Sequence, residues 1–173
     1  MPSPGHIALV TGLISSSYFT LGNLGAAYFG VMPATERGNT NLPVADRLAL
    51  WNHFYGIAAL HMPTSSVLAG LSLAVCSYNA PAGPLRNILA VGAVSGITVL
   101  VYTVMFMLAL NNRLMGILRA HSVKPMDMKE QEFVLDGLDK WRSLHRTRMW
   151  IGAVTWVSAI VAVLANDQPI IRF

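Results

Sequence analysis

Residues 88–110 read ILAVGAVSGITVLVYTVMFMLAL and contain no charged side chain. This stretch is longer than the roughly 20 apolar residues that an α-helix needs to cross a bilayer. Comparable apolar runs precede and follow it, and the predicted spans are 7–31, 54–78, 86–110 and 146–166. The sequence therefore predicts four transmembrane helices.

Composition supports a membrane protein. The chain has 173 residues, of which 54% are hydrophobic and only 12% are charged, and a soluble domain of this size would leave much of that apolar surface in water. The length allows one domain, 1–173. We therefore expect an all-α fold, a four-helix transmembrane bundle whose helices two to four extend beyond the bilayer on the cytoplasmic side.

The distribution of Lys and Arg predicts the orientation. Four spans place both termini and the 79–87 loop on one face, which carries only Arg86 and Arg172. The positive-inside rule makes the opposite face cytoplasmic and both termini lumenal, as expected in the endoplasmic reticulum or another endomembrane. The basic residues form no tract that suits nucleic acid. The ten on the cytoplasmic connections are Arg37, Arg47, Arg113, Arg119, Lys124, Lys129, Lys140, Arg142, Arg146 and Arg148.

Residue types missing from the spans exclude several functions. Cys76 is the only cysteine, so an intramolecular disulfide, a CxxC redox pair and a cysteine zinc cage are impossible. No Asp or Glu falls within a predicted span. This argues against a carboxylate-bridged di-iron centre and a proton-coupled carboxylate transporter.

The fourth helix carries a polar stripe. Trp141, His145 and Arg148 are spaced i, i+4, i+7 and therefore share one face, which continues as Gly152 and Thr155. Because the arginine charge disfavours protonation of a nearby imidazole, His145 is expected to be neutral and able to accept a proton.

Helices one to three contribute further polar residues. Asn23, alone in the first span, is interpreted as an interhelical hydrogen-bonding residue. His61 is interpreted as either a satisfied histidine in the bundle or a base in a dry pocket. The same helical spacing predicts one face of helix two with Arg47, Trp51, Phe54, Tyr55 and His61, and one of helix three with Tyr102, Met105, Ala109 and Asn112.

Three segments resemble the fungal anthrone oxygenases and their small four-span relatives. They are WNHFYG at 51–56, VMFMLALNNRL at 104–114 and WRSLHRTRMWIG at 141–152. In that pattern an asparagine pair closes helix three, and a tryptophan precedes an arginine by seven residues on helix four. Here those positions are Asn111, Asn112, Trp141 and Arg148.

The resemblance implies oxidation of a polyketide-derived aromatic anthrone to the anthraquinone by O2, with neither metal nor cofactor. Such a reaction needs a base, donors for an oxyanion and a dry apolar slot. His145 and His61 are both candidates for the base. The expected partners are the substrate and the bilayer, and homo-oligomerisation is left open. The predicted catalytic residues are His145, Arg148, Asn112 and His61, and the predicted substrate-binding residues are Trp141, Trp51, Tyr55, Asn111, Asn52, His53 and Tyr102.

Two other functions fit the same residues. The chain is alternatively a tetraspan structural or interaction protein whose polar cluster locks the bundle. It is alternatively a haem or copper protein that uses His53, His61 and His145, because imidazole suits those metals.

Overall fold

The computed structural model describes residues 4–166, and all regular structure in that range is helical. Four helical segments are long and apolar enough to span a membrane: Pro4–Thr35, Val44–Asn79, Pro84–His121 and Met128–Ala165. The predicted all-α class is confirmed for the described residues, and their four candidate membrane-spanning helices agree in number with the predicted spans. The elements are α1 Pro4–Tyr28, α2 Val31–Thr35, α3 Val44–Asn79, α4 Pro84–Tyr102, a π-helical turn Thr103–Met107, α5 Leu108–His121 and α6 Met128–Asn166.

Helices α3 and α6 are longer than a bilayer requires. They contain 36 and 39 residues. At about 1.5 Å per residue they measure roughly 54 and 58 Å, against about 30 Å of hydrocarbon. Each helix is therefore longer than the thickness of the hydrocarbon layer.

The first span ends differently from the sequence prediction. It was predicted as 7–31, but α1 already ends at Tyr28, and Pro33 lies in the first turn of the short helix α2. Proline is tolerated there because the first amides of a helix have no intrahelical acceptor. The side chain of Thr35 then bonds back to the Val31 carbonyl at 2.8 Å.

Helix α6 begins with a capping box. The Asp127 carboxylate accepts from the Glu130 amide at 2.8 Å, and the Glu130 carboxylate accepts from the Asp127 amide at 3.0 Å. This reciprocal pairing satisfies amides that a helix N-terminus leaves open. It sets the start of α6 within the charged segment that follows α5.

The described residues divide into two compact units. The first contains the residues up to Gly22, Met62–Val101 and those from Met149 onward. Its α3 and α4 pack backbone to backbone at Gly70 and Gly96, and the Ser66 hydroxyl donates to the Gly96 carbonyl at 2.7 Å. Small residues permit this close approach. The van der Waals contacts that result stabilise helix association, because the hydrophobic effect does not drive helices together in lipid.

The second unit contains Asn23–His61 and Tyr102–Arg148. Ion pairs tie its α2–α3 connection to α6, with Arg37 bonded to Asp136 at 2.5 Å and Arg142 to Glu36 at 2.9 Å. Arg47 is buried and donates to the carbonyls of that connection. Ion pairs and hydrogen bonds therefore hold the connection in place.

The buried core of this unit includes Trp51, Met107, Leu114, Leu138 and Trp141.

We expect Gly96→Ala to destabilise the protein by about 1–3 kcal/mol, because its Cβ would lie 2.8 Å from the Gly70 Cα and neither backbone can easily shift. Gly116→Ala is the matched control. Nothing lies within 4 Å of its new Cβ, so higher helix propensity should stabilise it by up to about 1 kcal/mol. Thermal unfolding in detergent measures both, and equal melting temperatures would contradict the close packing.

Candidate active site

Aromatic rings from α3 and α6 form the centre of the second unit. Trp51 and Trp141 are 0% and 3% exposed, and their ring centroids lie 6.0 Å apart at 85°. Tyr55 stacks on Trp51 at 5.1 Å and 9°. Trp141 also faces the His145 imidazole at 5.0 Å. The structure therefore brings together residues from the predicted face of helix two and the predicted stripe of helix four.

A polar group adjoins the rings. Arg148 Nη2 donates to His145 Nδ1 at 3.0 Å and to Asn23 Oδ1 at 3.3 Å. All three residues are buried, with exposures of 8%, 1% and 2% respectively. The interhelical hydrogen bond expected of Asn23 is thus confirmed, and its partner is the arginine of the predicted stripe.

The contact with Arg148 defines the protonation of His145. A guanidinium has donors only, so Nδ1 must be the acceptor and cannot carry a proton. The neutral imidazole then has its proton on Nε2. His145 therefore presents an N–H group at Nε2 and holds its lone pair at Nδ1 against the guanidinium.

Several buried polar atoms of this unit lack a hydrogen-bond partner among the described residues. Those in the group formed by the aromatic rings, His145 and Arg148 are four donors: Trp51 Nε1, Trp141 Nε1, His145 Nε2 and Arg148 Nε. One is an acceptor, Asn111 Oδ1. Each such atom costs about 1–3 kcal/mol when nothing bonds to it. A cluster that served only to lock helices would satisfy its donors, so this pattern favours a ligand that carries acceptor atoms.

The asparagine pair is placed differently from the prediction. Asn112 was expected on the interior face with Met105 and Ala109, but all three are exposed, and Asn111 is 1% exposed instead. The π-helical turn Thr103–Met107 is the physical reason. A π turn adds one residue to the helical repeat, so the interior face shifts to Met107, Asn111 and Leu114.

Other predicted residues are less buried than the cluster. Tyr102 and Asn52 are partly buried, whereas His53 and His61 are exposed. No group of three His, Cys, Asp or Glu side chains in residues 4–166 is placed to hold a metal ion. The three histidines considered as haem or copper ligands therefore do not gather in the described structure.

A cavity of about 330 Å³ lies between α5 and α6 in the same unit. Its wall includes Gly137, which precedes Trp141 by one helical turn and lies against Leu114 of the core. Arg113 covers the Phe133 ring at 3.8 Å. The cavity thus combines aromatic and basic side chains: Phe106, Ala109, Leu110, Arg113, Phe133, Asp136, Gly137 and Lys140.

A family model described as anthrone oxygenase matches residues 51–163, well over half of the sequence. The chain belongs to the anthrone oxygenase family. Most of the buried cluster lies within the matched region. These residues are Trp51, Asn111, Trp141, His145 and Arg148. No curated protein and no solved structure matched the chain.

The register shift predicts different chemical accessibility for the two asparagines. In a Cys76→Ser background, we expect Asn112→Cys to react with a maleimide at least about tenfold faster than Asn111→Cys, because thiol reactivity requires exposure. Labelling of purified protein in detergent, followed by mass spectrometry, measures both rates. Faster labelling at position 111 would show that the helix has no register shift.

Proposed function

We propose that this membrane protein is a cofactor-independent oxygenase that converts a polyketide-derived anthrone to the anthraquinone with O2. The observation that carries the proposal is the buried set of donors around Trp51, Trp141, His145 and Arg148 in a chain of the anthrone oxygenase family. An anthrone becomes an oxyanion when it loses a proton from its CH2 group. Donors fixed in a dry site stabilise such an anion strongly.

The first step removes one proton from the doubly benzylic CH2. His145 Nδ1 accepts it when Arg148 Nη2 moves from the imidazole to the forming oxyanion, so Arg148 and His145 exchange hydrogen-bond partners. The net charge of the site is unchanged, because the anion forms beside an imidazolium and a guanidinium. Because the anion lies beside these cations, transfer of the substrate proton to His145 costs less free energy in a site of low dielectric constant.

The second step consumes O2. The electron-rich anion transfers one electron to O2, and the resulting radical and superoxide combine to give a peroxide at the former CH2 carbon. Protonation, loss of the remaining C–H proton and cleavage of the O–O bond release water and leave the second carbonyl. One O2 therefore supplies one quinone oxygen and one water molecule. The anthrone is the only reductant, so the balance needs no metal or flavin.

Flat apolar substrates fit the surroundings of the cluster. The Trp51 and Trp141 rings offer aromatic faces, and the wall of the cavity between α5 and α6 includes Gly137, one helical turn before Trp141. We assign this cavity as the entrance. Its aromatic side chains Phe106 and Phe133 suit a planar polycyclic ligand.

The proposed location is an endomembrane such as the endoplasmic reticulum, with both termini lumenal. Arg47 and Arg148 are engaged in internal hydrogen bonds and are poor orientation signals. Eight other basic residues remain on the first and third connections, against Arg86 and Arg172 on the opposite face. The asymmetry therefore persists.

We expect tags at both termini to be protected from added protease in sealed microsomes, because the basic connections face the cytoplasm. Detergent should abolish the protection, which serves as the control. Digestion of both tags without detergent would reverse the proposed orientation.

The reaction itself is tested with His145→Ala, which should lower anthraquinone formation by about 100-fold or more because the proton acceptor is lost. His61→Ala is the matched control, since His61 is exposed, and it should retain near wild-type turnover. Purified variants are compared under ¹⁸O2, with one labelled atom expected per quinone. Near wild-type turnover by folded His145→Ala, together with loss in His61→Ala, would move the base to His61.

A further inference from the structure

Asn23 lies outside the part of the chain that matches the anthrone oxygenase model. The match begins at residue 51, whereas Asn23 belongs to α1. Its side chain is nevertheless 2% exposed and accepts from the buried Arg148. A residue of α1 thus reaches the group that bonds to His145.

One nitrogen of Arg148 serves both partners. Nη2 carries two hydrogens, and it donates one towards Asn23 Oδ1 at 3.3 Å and one towards His145 Nδ1 at 3.0 Å. A planar guanidinium held at two points cannot rotate freely. Asn23 therefore helps to hold this edge of Arg148 against the imidazole.

We propose that Asn23 is a positioning residue that, through Arg148, fixes His145 in the tautomer with an unprotonated Nδ1 and a protonated Nε2. The inference rests on the proposed function for its catalytic meaning, because the lone pair at Nδ1 is the proton acceptor there. Without Asn23 the guanidinium can turn away, and the imidazole then also populates the opposite tautomer. That tautomer has a proton where the substrate proton must go.

The Asn23 side chain acts on the imidazole through Arg148, so its loss should lower kcat more than it changes KM. The backbone of Asn23 also lies beside the imidazole, and side-chain substitutions leave that contact in place. Hydrogen-bond partners of metal-bound histidines contribute about 10–100-fold to activity, and we expect a similar effect for a group that fixes a catalytic histidine through a second side chain. We therefore expect Asn23→Leu to lower kcat about tenfold or more, with KM within about twofold of wild type.

The tautomer is measured directly by ¹⁵N NMR of protein labelled at histidine in detergent micelles. Protonated and unprotonated ring nitrogens have distinct shifts, and the difference from a His145→Gln sample assigns the His145 signals among the five histidines. In wild type, His145 should have a protonated Nε2 and an unprotonated Nδ1. Asn23→Leu should show a mixture of tautomers, whereas Asn23→Asp, which keeps an acceptor for Arg148, should resemble wild type.

Two controls separate positioning from folding. Thr20→Val removes another buried polar atom of α1, one that has no hydrogen-bond partner in residues 4–166, and should change neither spectrum nor kcat. Asn23→Ala is measured in parallel, since it removes Oδ1 without adding volume. A wild-type His145 spectrum in folded Asn23→Leu or Asn23→Ala overturns the proposal. If Asn23→Leu alters the His145 spectrum but wild type makes no anthraquinone, the positioning role is supported and the proposed reaction is rejected.

Discussion

A guanidinium buried among apolar helices must find acceptors, and the arrangement of the second unit follows from how Arg148 finds them. Burying the charge is costly unless hydrogen bonds compensate it. Asn23 Oδ1 and His145 Nδ1 supply two acceptors from α1 and α6. The same contact forces the imidazole to be neutral. A single buried cation thereby connects two helices and defines the chemical state of the histidine.

The remaining buried donors are not explained by folding. Trp51 Nε1, Trp141 Nε1 and His145 Nε2 lack partners within residues 4–166, although indole and imidazole N–H groups in a core are normally bonded. Unsatisfied donors lower stability, and proteins accept that cost mainly where a ligand is bound. In the proposed reaction, the anthrone anion supplies the hydrogen-bond acceptor that these atoms lack within the described residues.

Irregular points in the helices shape the site. The break after Tyr28 allows α2 and its connection to be tied to α6 by Arg37 and Arg142. The π turn at Thr103–Met107 brings Asn111 to the interior face. In the first unit, close contact at Gly70 and Gly96 supplies packing of the kind that holds helices together in lipid.

The sequence by itself determined the four spans, because hydropathy and length suffice for a helix that must satisfy its own backbone in lipid. It also determined that Trp141, His145 and Arg148 share a face, since helical periodicity is local. Tertiary structure decided the rest. It selected Asn111 over Asn112, because one π turn shifts every later position. It paired Asn23 with Arg148, a contact between residues 125 positions apart that no local spacing encodes. Capping and short periodicities are local properties of a chain, whereas partners across helices depend on how the helices pack.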